Sequence, residues 1–561
     1  MAGVQSPIPG VVYLPAEDLS HYQALGVLSD QSLADAYRRA FSLAPERIAL
    51  SGPTGTISYA DLDAITDRGA AALWRLGLRP TDRVIFQMRN CPELVQAFLS
   101  CLKIGVIPVC TLAAHREQEI GYIGNHASAK AHFVHGDDGR FDTVAFAREM
   151  AGRIPTVAHI IVARGGDDLP ADTVSFEALI AAEDGGAARD LVESMSLDPC
   201  QVALFQLSGG TSGIPKIIPR FNNEYAYAMR SVIDFVGLGQ DTICFTPNPF
   251  MHNAPMACFW GPTLLAGGEV VIADGPSIVD IEAALAARRP NWIGIAKVHL
   301  LRLIESGVTD RLTFDNVRAF AVPDSAKPLS AMIGAPCVTM YGMTEGLLGF
   351  ALPDDPAETL EFTVGRSTSP YDEIRIVRPG TEEDLPDGEI GELLVRGPTT
   401  IRGYFDAPER DAEAFTADGF YRSGDLMSWR IVDGVRNLVF NGRVKDVIDR
   451  GGEKINCGEV ELAISRHAAI GAVACVAMPD PLYGERMCAF IALREDATDL
   501  ALAQLQEHLA AEGLSKFKWP ERIELVAELP ATSSGKVSKP LMRDIIAAKL
   551  KAETTAQMVA E

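Results

Sequence analysis

Residues 207–220 read LSGGTSGIPKIIPR, a glycine- and hydroxyl-rich run that contains Lys216 and ends at Arg220. Glycines let backbone N–H groups approach a phosphate closely, hydroxyls add donors, and a lysine adds a point charge. The run is not a Walker A loop, because two residues separate Gly213 from Lys216. By itself such a run is also typical of a turn or linker, so the rest of the chain must decide between the two.

The bulk composition describes a large, acidic, globular protein. The chain has 561 residues, more than one compact core accommodates, which predicts two or more domains. Hydrophobic residues make up 47% and charged residues 22%, the ordinary balance for a globular protein. The formal net charge of −24 disfavours nucleic acid and anionic membranes as partners. An anionic ligand would therefore need a locally positive pocket.

The cysteines and the N-terminal segment predict a cytoplasmic location. Ten cysteines are scattered, without C-x-x-C pairs and mostly in apolar runs, which favours buried, reduced thiols. The first residues lack a basic start followed by an apolar core, so no secretory signal is predicted. No apolar run is long enough to predict a membrane span.

Helix-like and strand-like segments alternate along the first two thirds of the chain. Residues 32–45 form an amphipathic pattern behind a capping residue, 82–90 read as a buried strand, and 93–110 read as a helix leading into a strand. This alternation predicts βαβ units with parallel strands covered by helices. The polar, glycine-rich segment 165–190 is predicted to be a surface excursion. Between 371 and 441, Pro-Gly and Asp-Gly turns predict a hairpin-rich β unit, followed by a last βα block.

Further motifs follow the opening run in a fixed order. They are SGGTSGIPK (208–216), YGMTEG (341–346), YRSGDL (421–426), NGRVKDVIDRGGEKI (441–455) and SSGKVSK (533–539). Together they resemble the adenylate-forming superfamily, which includes acyl- and aryl-CoA synthetases, peptide-synthetase adenylation domains and luciferases. With MHNAP at 251–255, the chain is most similar to stand-alone aryl-acid adenylating enzymes of the 2,3-dihydroxybenzoate–AMP ligase and salicylate–AMP ligase type.

The resemblance implies an α/β fold in two domains. Residues 1–443 are expected to form a large N-terminal domain of βαβ subdomains plus a β-rich unit, holding the acid and ATP sites. Residues 444–446 would be a hinge around Lys445. Residues 447–561 would be a small, mobile α+β C-terminal domain that swivels between two steps.

The resemblance also implies two half-reactions. A carboxylate attacks the α-phosphate of ATP, with Mg²⁺ bound, to give acyl-AMP and pyrophosphate; a thiol then displaces AMP. Both reactants of the first step are anions, so positioned cations and donors are the expected machinery. The implied partners are an aryl acid and the phosphopantetheine thiol of an aryl carrier protein, or coenzyme A, in siderophore or other nonribosomal-peptide biosynthesis. A homodimer is compatible with this prediction.

The opening run can now be assigned a role by resemblance. The residues expected to hold the β- and γ-phosphates are Ser208, Gly209, Gly210, Thr211, Ser212, Gly213 and Lys216. The residues expected to bind the nucleotide are Ala326, Tyr341, Gly342, Met343, Asp425 and Arg443, with Tyr341 facing adenine and Asp425 accepting the ribose hydroxyls.

Four residues are expected to be catalytic by the same resemblance. Lys536 would bridge the substrate carboxylate and the α-phosphate, and would serve adenylation only. Thr344 would contact a phosphate oxygen, and Glu345 would bind Mg²⁺, which prefers one or two carboxylates plus phosphates. His252 would lie near the substrate carboxylate.

The expected aryl-acid pocket departs from the siderophore enzymes. Its predicted residues are Asn253, Ala254, Cys258, Ser325 and Gly346. The amide of Asn253 is expected to read an ortho hydroxyl or amino group, because an amide can both accept and donate. Ala254 replaces an aromatic residue, Cys258 a small hydroxyl residue, and Ser325 a glycine. These changes predict a bulkier, bicyclic or differently substituted aryl acid.

Alternatives to carrier-protein loading remain at this point. An aryl-CoA ligase would share the first step. A phosphotransferase would release ADP, and the missing Gly-Lys-Ser/Thr run argues against it. A non-enzymatic binding protein would be expected to have lost Lys536 or Glu345. Asp324, beside the pocket, leaves an amino-acid substrate open.

Overall fold

The computed structural model describes residues 4–208, 215–323, 326–450, 453–495, 497–532 and 537–560. The chain divides into two compact units. The first unit comprises residues 1–374, 394–422 and 431–438, and the second comprises 375–393, 423–430 and 439–561.

Seventeen α-helical segments are described before residue 423. They are α1 (Ala16–Ala24), α2 (Leu33–Leu43), α3 (Tyr59–Arg75), α4 (Pro92–Lys103), α5 (Glu117–His126), α6 (Thr143–Ala151), α7 (Phe176–Ala181), α8 (Gly185–Ser194), α9 (Asn222–Val236), α10 (Asn253–Pro255), α11 (Gly261–Leu265), α12 (Ile278–Arg288), α13 (Lys297–Glu305), α14 (Val308–Arg311), α15 (Ala326–Ile333), α16 (Ala357–Phe362) and α17 (Pro408–Ala414). A π-helical turn, Met256–Trp260, joins α10 to α11.

Sixteen described strands of the first unit form two large sheets. They are β1 (Ile48–Gly52), β2 (Gly55–Ser58), β3 (Arg83–Gln87), β4 (Ile107–Val109), β5 (Ala131–His135), β6 (His159–Ala163), β7 (Val174–Ser175), β8 (Val202–Ser208), β9 (Lys216–Phe221), β10 (Ile243–Phe245), β11 (Glu269–Val271), β12 (Trp292–Gly294), β13 (Ala319–Val322), β14 (Cys337–Gly342), β15 (Leu348–Phe350) and β16 (Arg366–Ser367). The seven-stranded sheet has the order β7-β6-β5-β3-β4-β8-β9, and the nine-stranded sheet β16-β15-β14-β13-β12-β10-β11-β1-β2.

Both sheets are parallel in their interiors and antiparallel only near their edges. In the seven-stranded sheet β9 runs antiparallel to β8. In the nine-stranded sheet β14, β13, β12 and β10 are mutually parallel. Parallel strands require crossover connections, and the intervening helices supply them. The predicted βαβ organisation is therefore confirmed.

Local signals explain where the first helices begin and which face they bury. Ser32 caps α2 by accepting from the Asp35 N–H, and the Asp35 carboxylate accepts from the Ser32 N–H in return. This reciprocal capping satisfies two donors that the first turn leaves unpaired. The apolar face of α2, which includes Tyr37 and Phe41, is buried in the main core cluster.

The segment 165–190 lies largely at the surface, as predicted, but it contains regular structure. It contains β7, α7 and the start of α8, with Ser175 and Asp184 as side-chain N-caps. Phe176 is fully buried and packs edge-to-face on Phe133. The polar residues of the segment are therefore the caps and exposed faces of short helices that pack against the first unit.

Four further strands have residues in both units. They are β17 (Glu373–Val377), β18 (Gly391–Arg396), β19 (Tyr421–Val432) and β20 (Val435–Arg443), and they form a sheet in that order. The predicted β-rich unit is confirmed.

The described residues of the second unit form a five-stranded sheet and three α-helices. Its strands are β21 (Val447–Arg450), β22 (Glu453–Asn456), β23 (Ile470–Asp480), β24 (Gly484–Leu493) and β25 (Arg522–Leu525), and its helices are α18 (Cys457–Ser465), α19 (Leu502–Ala511) and α20 (Lys539–Ala560). The sheet order is β22-β21-β24-β23, with β25 paired to β24. This unit has its own apolar core, as expected of an α+β domain.

The thiols and helices agree with the composition. All ten cysteines are free; nine are buried and Cys200 is half-buried, as predicted from their apolar surroundings. Among the described residues, no helix combines the length and apolar composition needed to cross a bilayer.

A buried carboxyl group lies at the end of the first stretch of unit one. Asp372 Oδ2 accepts from the Ser367 hydroxyl at 2.5 Å. Its Oδ1 is buried and has no hydrogen-bond partner among the described residues. Gly397 covers this oxygen so closely that a Cβ there would lie 2.2 Å from it. Burial raises the pKa of Asp372 to about 7, against a smaller lowering by Ser367.

This carboxyl group predicts a pH-dependent stability. An acid whose pKa is higher in the folded chain binds more protons when folded, so stability is lost as the pH rises from about 4 to about 7. Asp372→Asn is expected to remove this loss, which is on the order of 4 kcal/mol. Thermal unfolding should show a variant that is more stable than wild type at pH 8 and similar at pH 4.5. Parallel pH profiles would contradict the prediction; Asp315→Asn, at an exposed position, is the matched control.

Candidate active site

Several predicted site residues follow neighbouring parallel strands of the nine-stranded sheet. His252 and Asn253 lie on the segment after β10, Ala326 begins the helix after β13, and Tyr341 is near the end of β14. Strands β14, β13, β12 and β10 are consecutive in the sheet. Because carboxyl ends of parallel strands meet at one edge, the fold brings these segments to the same edge, where open α/β sheets bind ligands.

The glycine-rich run joins the antiparallel strands β8 and β9. Ser208 and Lys216 are paired directly across this hairpin, so the run leaves and re-enters the sheet at one place. The residues Gly209, Gly210, Thr211, Ser212 and Gly213 lie outside the described residues.

Lys216 and Glu345 are brought together by Tyr404, a residue to which the sequence motifs assign no role. The Lys216 Nζ donates to the Tyr404 hydroxyl at 3.1 Å and lies 4.3 Å from the centre of its ring. The Tyr404 hydroxyl donates to Glu345 Oε1 at 3.0 Å and lies 3.1 Å from the Tyr421 hydroxyl. Burial and the Glu345 charge raise the pKa of Tyr404, so the phenol stays protonated and holds the carboxylate. The Lys216 ammonium and the Glu345 carboxylate therefore both contact the Tyr404 hydroxyl.

Arg220, the last residue of the opening run, is an anchor inside the first unit. Its side chain is 1% exposed and forms an ion pair with Glu224 on α9. It also donates to the backbone carbonyls of Thr344 and Thr399. The hydrogen bond to Thr344 holds the backbone of the YGMTEG segment (341–346) in place. Thr344 itself is half-buried.

The same segment is held from its other end. The Glu345 carbonyl accepts from the Ile401 N–H at 2.9 Å. A Cβ on Gly346 would lie 2.9 Å from Thr400 Cα, so only glycine permits this approach. Gly342 is exposed, and Met343 packs against the small cluster that contains Tyr404.

The expected acid pocket begins where β10 ends. Half-buried His252 precedes α10, and Asn253 is 7% exposed. The buried Tyr225 hydroxyl on α9 donates to Asn253 Oδ1 at 2.9 Å. Asn90, after β3, accepts from the Phe250 N–H at 2.7 Å and so holds this segment in place.

The remaining pocket residues differ in their surroundings. Ala254 is half-buried. Cys258 lies in the π-helical turn, is fully buried in the main core cluster, and has a thiol pKa raised by burial. Single π-helical turns are frequent at functional sites. Ser325 lies outside the described residues, and Ala326 is 1% exposed at the start of α15.

Two predicted nucleotide residues form an ion pair in the second unit. Arg443 Nε lies 3.1 Å from Asp425 Oδ1. Asp425 is 7% exposed, and its backbone N–H donates to the Ser423 hydroxyl at 3.0 Å. A carboxylate held in this way beside a cation can accept from two neighbouring hydroxyl groups.

The predicted hinge is a short 3₁₀ turn, Val444–Asp446. Arg543 on α20 donates to the Lys445 carbonyl at 3.2 Å and to Asp446 Oδ1 at 3.3 Å. Lys539, at the start of α20, lies 2.7 Å from Glu461 and 3.7 Å from Asp446. The C-terminal end of this turn is therefore tied to α20.

Lys536 lies outside the described residues. Among the described residues on either side of it, Ala531 and Val537 form an antiparallel bridge, and the Ser538 N–H donates to the Pro530 carbonyl at 2.8 Å.

The donor set fits ATP with a magnesium ion that the nucleotide shares. Among the described residues, no cluster of three or more His, Cys, Asp or Glu side chains could hold a metal by itself. Glu345, one buried carboxylate, fits Mg²⁺ only where phosphate oxygens supply further ligands, which is the coordination this ion prefers.

The sequence did not predict the supporting roles of three residues: Tyr404, Tyr225 and Arg220. Tyr404 lies 188 residues from Lys216 and 59 from Glu345. Residues so far apart in the sequence form no local motif, so the sequence does not indicate that they are in contact. Tyr404 does lie within GPTTIRGYF (397–405), but nothing in that stretch indicates which side chain it holds.

The sequence matches the AMP-binding enzyme family over residues 37–405 and the AMP-binding enzyme C-terminal domain over residues 459–536. The chain belongs to the AMP-binding enzyme family. Among its relatives is the 2-hydroxy-7-methoxy-5-methyl-1-naphthoate–CoA ligase of Streptomyces carzinostaticus, 36% identical over 553 residues that cover 96% of this chain and 97% of the relative. The salicyl-AMP ligase / salicyl-S-ArCP synthetase of Mycobacterium tuberculosis is 36% identical over 552 residues, covering 94% and 93%.

A solved structure agrees with these matches. The apo structure of MbtA from Mycobacterium smegmatis superimposes with a TM-score of 0.71 and 34% identity, covering 95% of this chain and 98% of that chain. The predicted resemblance to adenylate-forming enzymes, and to their aryl-acid members, is confirmed, as is the α/β fold class with its C-terminal α+β part. This member of the AMP-binding enzyme family is an AMP-forming ligase.

Proposed function

We propose that this AMP-binding enzyme adenylates an aryl carboxylic acid with ATP and transfers the aryl group to the phosphopantetheine thiol of a carrier protein. The pathway would be siderophore or other nonribosomal-peptide biosynthesis in the cytoplasm. The observation that carries the proposal is the contact of Lys216 and Glu345 with one phenol, Tyr404, in a chain of this family. This contact supports a role for Lys216 in holding the phosphates and for Glu345 in holding Mg²⁺, because it puts a cation and a carboxylate on the same phenol.

In the first step, the protein's part is to bring two anions together. Lys216 and the glycine-rich run would hold the β- and γ-phosphates, and the Thr344 hydroxyl would donate to a phosphate oxygen. Tyr341 would stack on adenine, and Glu345 would hold Mg²⁺, which supplies charge neutralisation of the phosphates. Lys536 would bridge the carboxylate and the α-phosphate as the acid oxygen attacks phosphorus and pyrophosphate leaves.

In the second step, the thiol attacks the acyl carbon and AMP leaves. We place the acid and ATP sites in residues 1–443, the pivot at 444–446 and the swivelling domain at 447–561. The ties from Arg543 to Lys445 and Asp446, and from Lys539 to Asp446, support a pivot at this turn, because they join its C-terminal end to α20. Asp425 and Arg443 would bind the ribose.

The proposed substrate is an aryl acid larger than, or substituted differently from, 2,3-dihydroxybenzoate. Ala254 leaves the space that a ring would fill, and a relative is named for a substituted naphthoate. His252 would contact the carboxylate, while Asn253 would contact the ortho substituent.

Acid-dependent exchange of pyrophosphate into ATP tests the proposal. The panel should contain benzoates, aminobenzoates, hydroxynaphthoates, hydroxyquinoline carboxylates, fatty acids and amino acids. Strong exchange with one ortho-substituted aryl acid is expected, and a bulkier acid should exceed 2,3-dihydroxybenzoate. Glu345→Gln should lower the rate of this exchange by about 10²-fold or more, because the Mg²⁺ that neutralises the phosphates would lose its carboxylate ligand. Preference for fatty or amino acids would overturn the aryl assignment, and no exchange with any acid would overturn adenylation.

Coenzyme A is the second candidate for the thiol, because one relative is named as a CoA ligase. The two acceptors separate when the preformed aryl-AMP is supplied and only thioester formation is followed. A phosphopantetheinylated carrier protein is expected to react faster than free coenzyme A. The reverse order would assign the chain as an aryl-CoA ligase.

A further inference from the structure

Behind the proposed acid pocket, a buried chain of hydrogen bonds ends on Asn253. The Tyr225 hydroxyl lies 2.9 Å from Asn253 Oδ1, and Tyr225 is fully buried. Gln206, on β8 and 1% exposed, contacts the same phenol. All three side chains belong to the first unit.

The direction of these hydrogen bonds follows from the chemistry of the phenol. Burial raises the pKa of Tyr225 far above its ordinary value, so the hydroxyl keeps its proton. A protonated phenol donates to the amide oxygen that it faces, so the Tyr225 proton points to Asn253 Oδ1 at 2.9 Å.

The other half of the Asn253 amide is left for a ligand. An asparagine has one acceptor oxygen and one NH₂ with two donors. Its oxygen is occupied by Tyr225, whereas its Nδ2 has no hydrogen-bond partner among the residues that the structure describes. Asn253 begins α10 on the segment that follows β10, next to half-buried His252 and Ala254, so it lies on the side of the sheet where the carboxyl ends of the parallel strands meet.

We propose that Tyr225 is a positioning residue: by occupying the Asn253 oxygen, it leaves the Asn253 side chain able only to donate to the ligand. The acid substrate therefore carries a hydrogen-bond acceptor at its ortho position, such as a hydroxyl or phenolate oxygen or a ring nitrogen. It does not carry an ortho amino group. This inference rests on the proposed function. An aromatic amine delocalises its lone pair into the ring and presents N–H groups. The Asn253 NH₂ and an ortho amino group would both be donors, so neither would have an acceptor in the buried pocket. Leaving them unpaired costs binding free energy.

The test compares acids that differ only at the ortho position. Exchange of pyrophosphate into ATP is measured with the 2-hydroxy, 2-amino and unsubstituted forms of one ring, benzoate or 1-naphthoate. The wild type is expected to favour the 2-hydroxy over the 2-amino acid by at least about tenfold in kcat/KM, as a buried unpaired donor predicts. In Tyr225→Phe the amide is free to turn, so this ratio should fall towards one. The 2-hydroxy acid should lose at least several-fold more activity than the unsubstituted acid.

Two further variants make the assignment specific. Tyr227→Phe is the matched control, because Tyr227 lies on the same helix and its hydroxyl bonds to Ser369 at 2.9 Å; its hydroxy-to-amino ratio should stay that of the wild type. Asn253→Asp, which offers only acceptors, should shift the ratio towards the amino acid. It also keeps the test decisive if Tyr225→Phe folds poorly.

The outcomes distinguish failure of this inference from failure of the proposed adenylation function. A wild type that exchanges with aryl acids but favours the amino form, or does not discriminate, overturns the donor assignment alone. So does a Tyr225→Phe variant that loses activity equally on all three acids, which would indicate a merely structural tyrosine. Absence of exchange with every acid overturns the proposed function instead.

Discussion

Replacing Lys536 with alanine is expected to lower adenylation by at least about 10²–10³-fold, because a cation aimed at the developing charge of the transition state is lost. Thioester formation from preformed aryl-AMP should be largely unaffected, because the α-phosphate has already been acylated. Pyrophosphate exchange reports the first step, and single-turnover transfer from synthetic aryl-AMP reports the second. The split between the two steps is the decisive result.

Lys516→Ala is the matched control for Lys536, since it removes an exposed lysine from the same unit. It should leave both steps unchanged. An equal loss of both steps in Lys536→Ala would refute the assignment of Lys536 to adenylation only, and with it the alternation of two domain positions.

Arg220→Met is expected to destabilise the first unit by about 3–5 kcal/mol, because it leaves the Glu224 carboxylate buried without its partner. The double variant Arg220→Met/Glu224→Leu should recover most of this loss, since apolar pairs often replace buried ion pairs at little cost. Adenylation should remain impaired in the double variant, because the Thr344 carbonyl has lost its donor. Urea unfolding midpoints and pyrophosphate exchange measure the two effects separately.

Arg289→Met is the control for this pair, because Arg289 and its partner Asp315 are both more than half exposed. An exposed ion pair contributes about 0–1 kcal/mol, so its removal should barely change the midpoint. Full recovery of adenylation in the double variant would show that Arg220 stabilises the fold without positioning Thr344. A small effect of the single variant would show that the pair is not buried in solution.

Much of the architecture was predictable because its causes are local. The cap at Ser32 and the amphipathic face behind it lie within a few turns of one helix. The buried strand β3 reads as an apolar run because helices cover both faces of a parallel sheet. The helices within segment 165–190 were not predicted for a related reason: α7 has only six residues, too few to show a helical period, and Phe176 is buried against the distant Phe133.

The sequence by itself determined the family, because glycine, hydroxyl and charged groups recur in its motifs in a fixed order, and through that resemblance it predicted the two-step chemistry and the candidate residues. Only the tertiary structure decided how those residues are supported: that Tyr404 holds Lys216 and Glu345 together, that Arg220 fixes the Thr344 backbone, and that Tyr225 orients Asn253. Each of these contacts joins residues on separate segments of the chain. Hydrogen-bond direction between such residues depends on the fold, so no periodicity in the chain could reveal it.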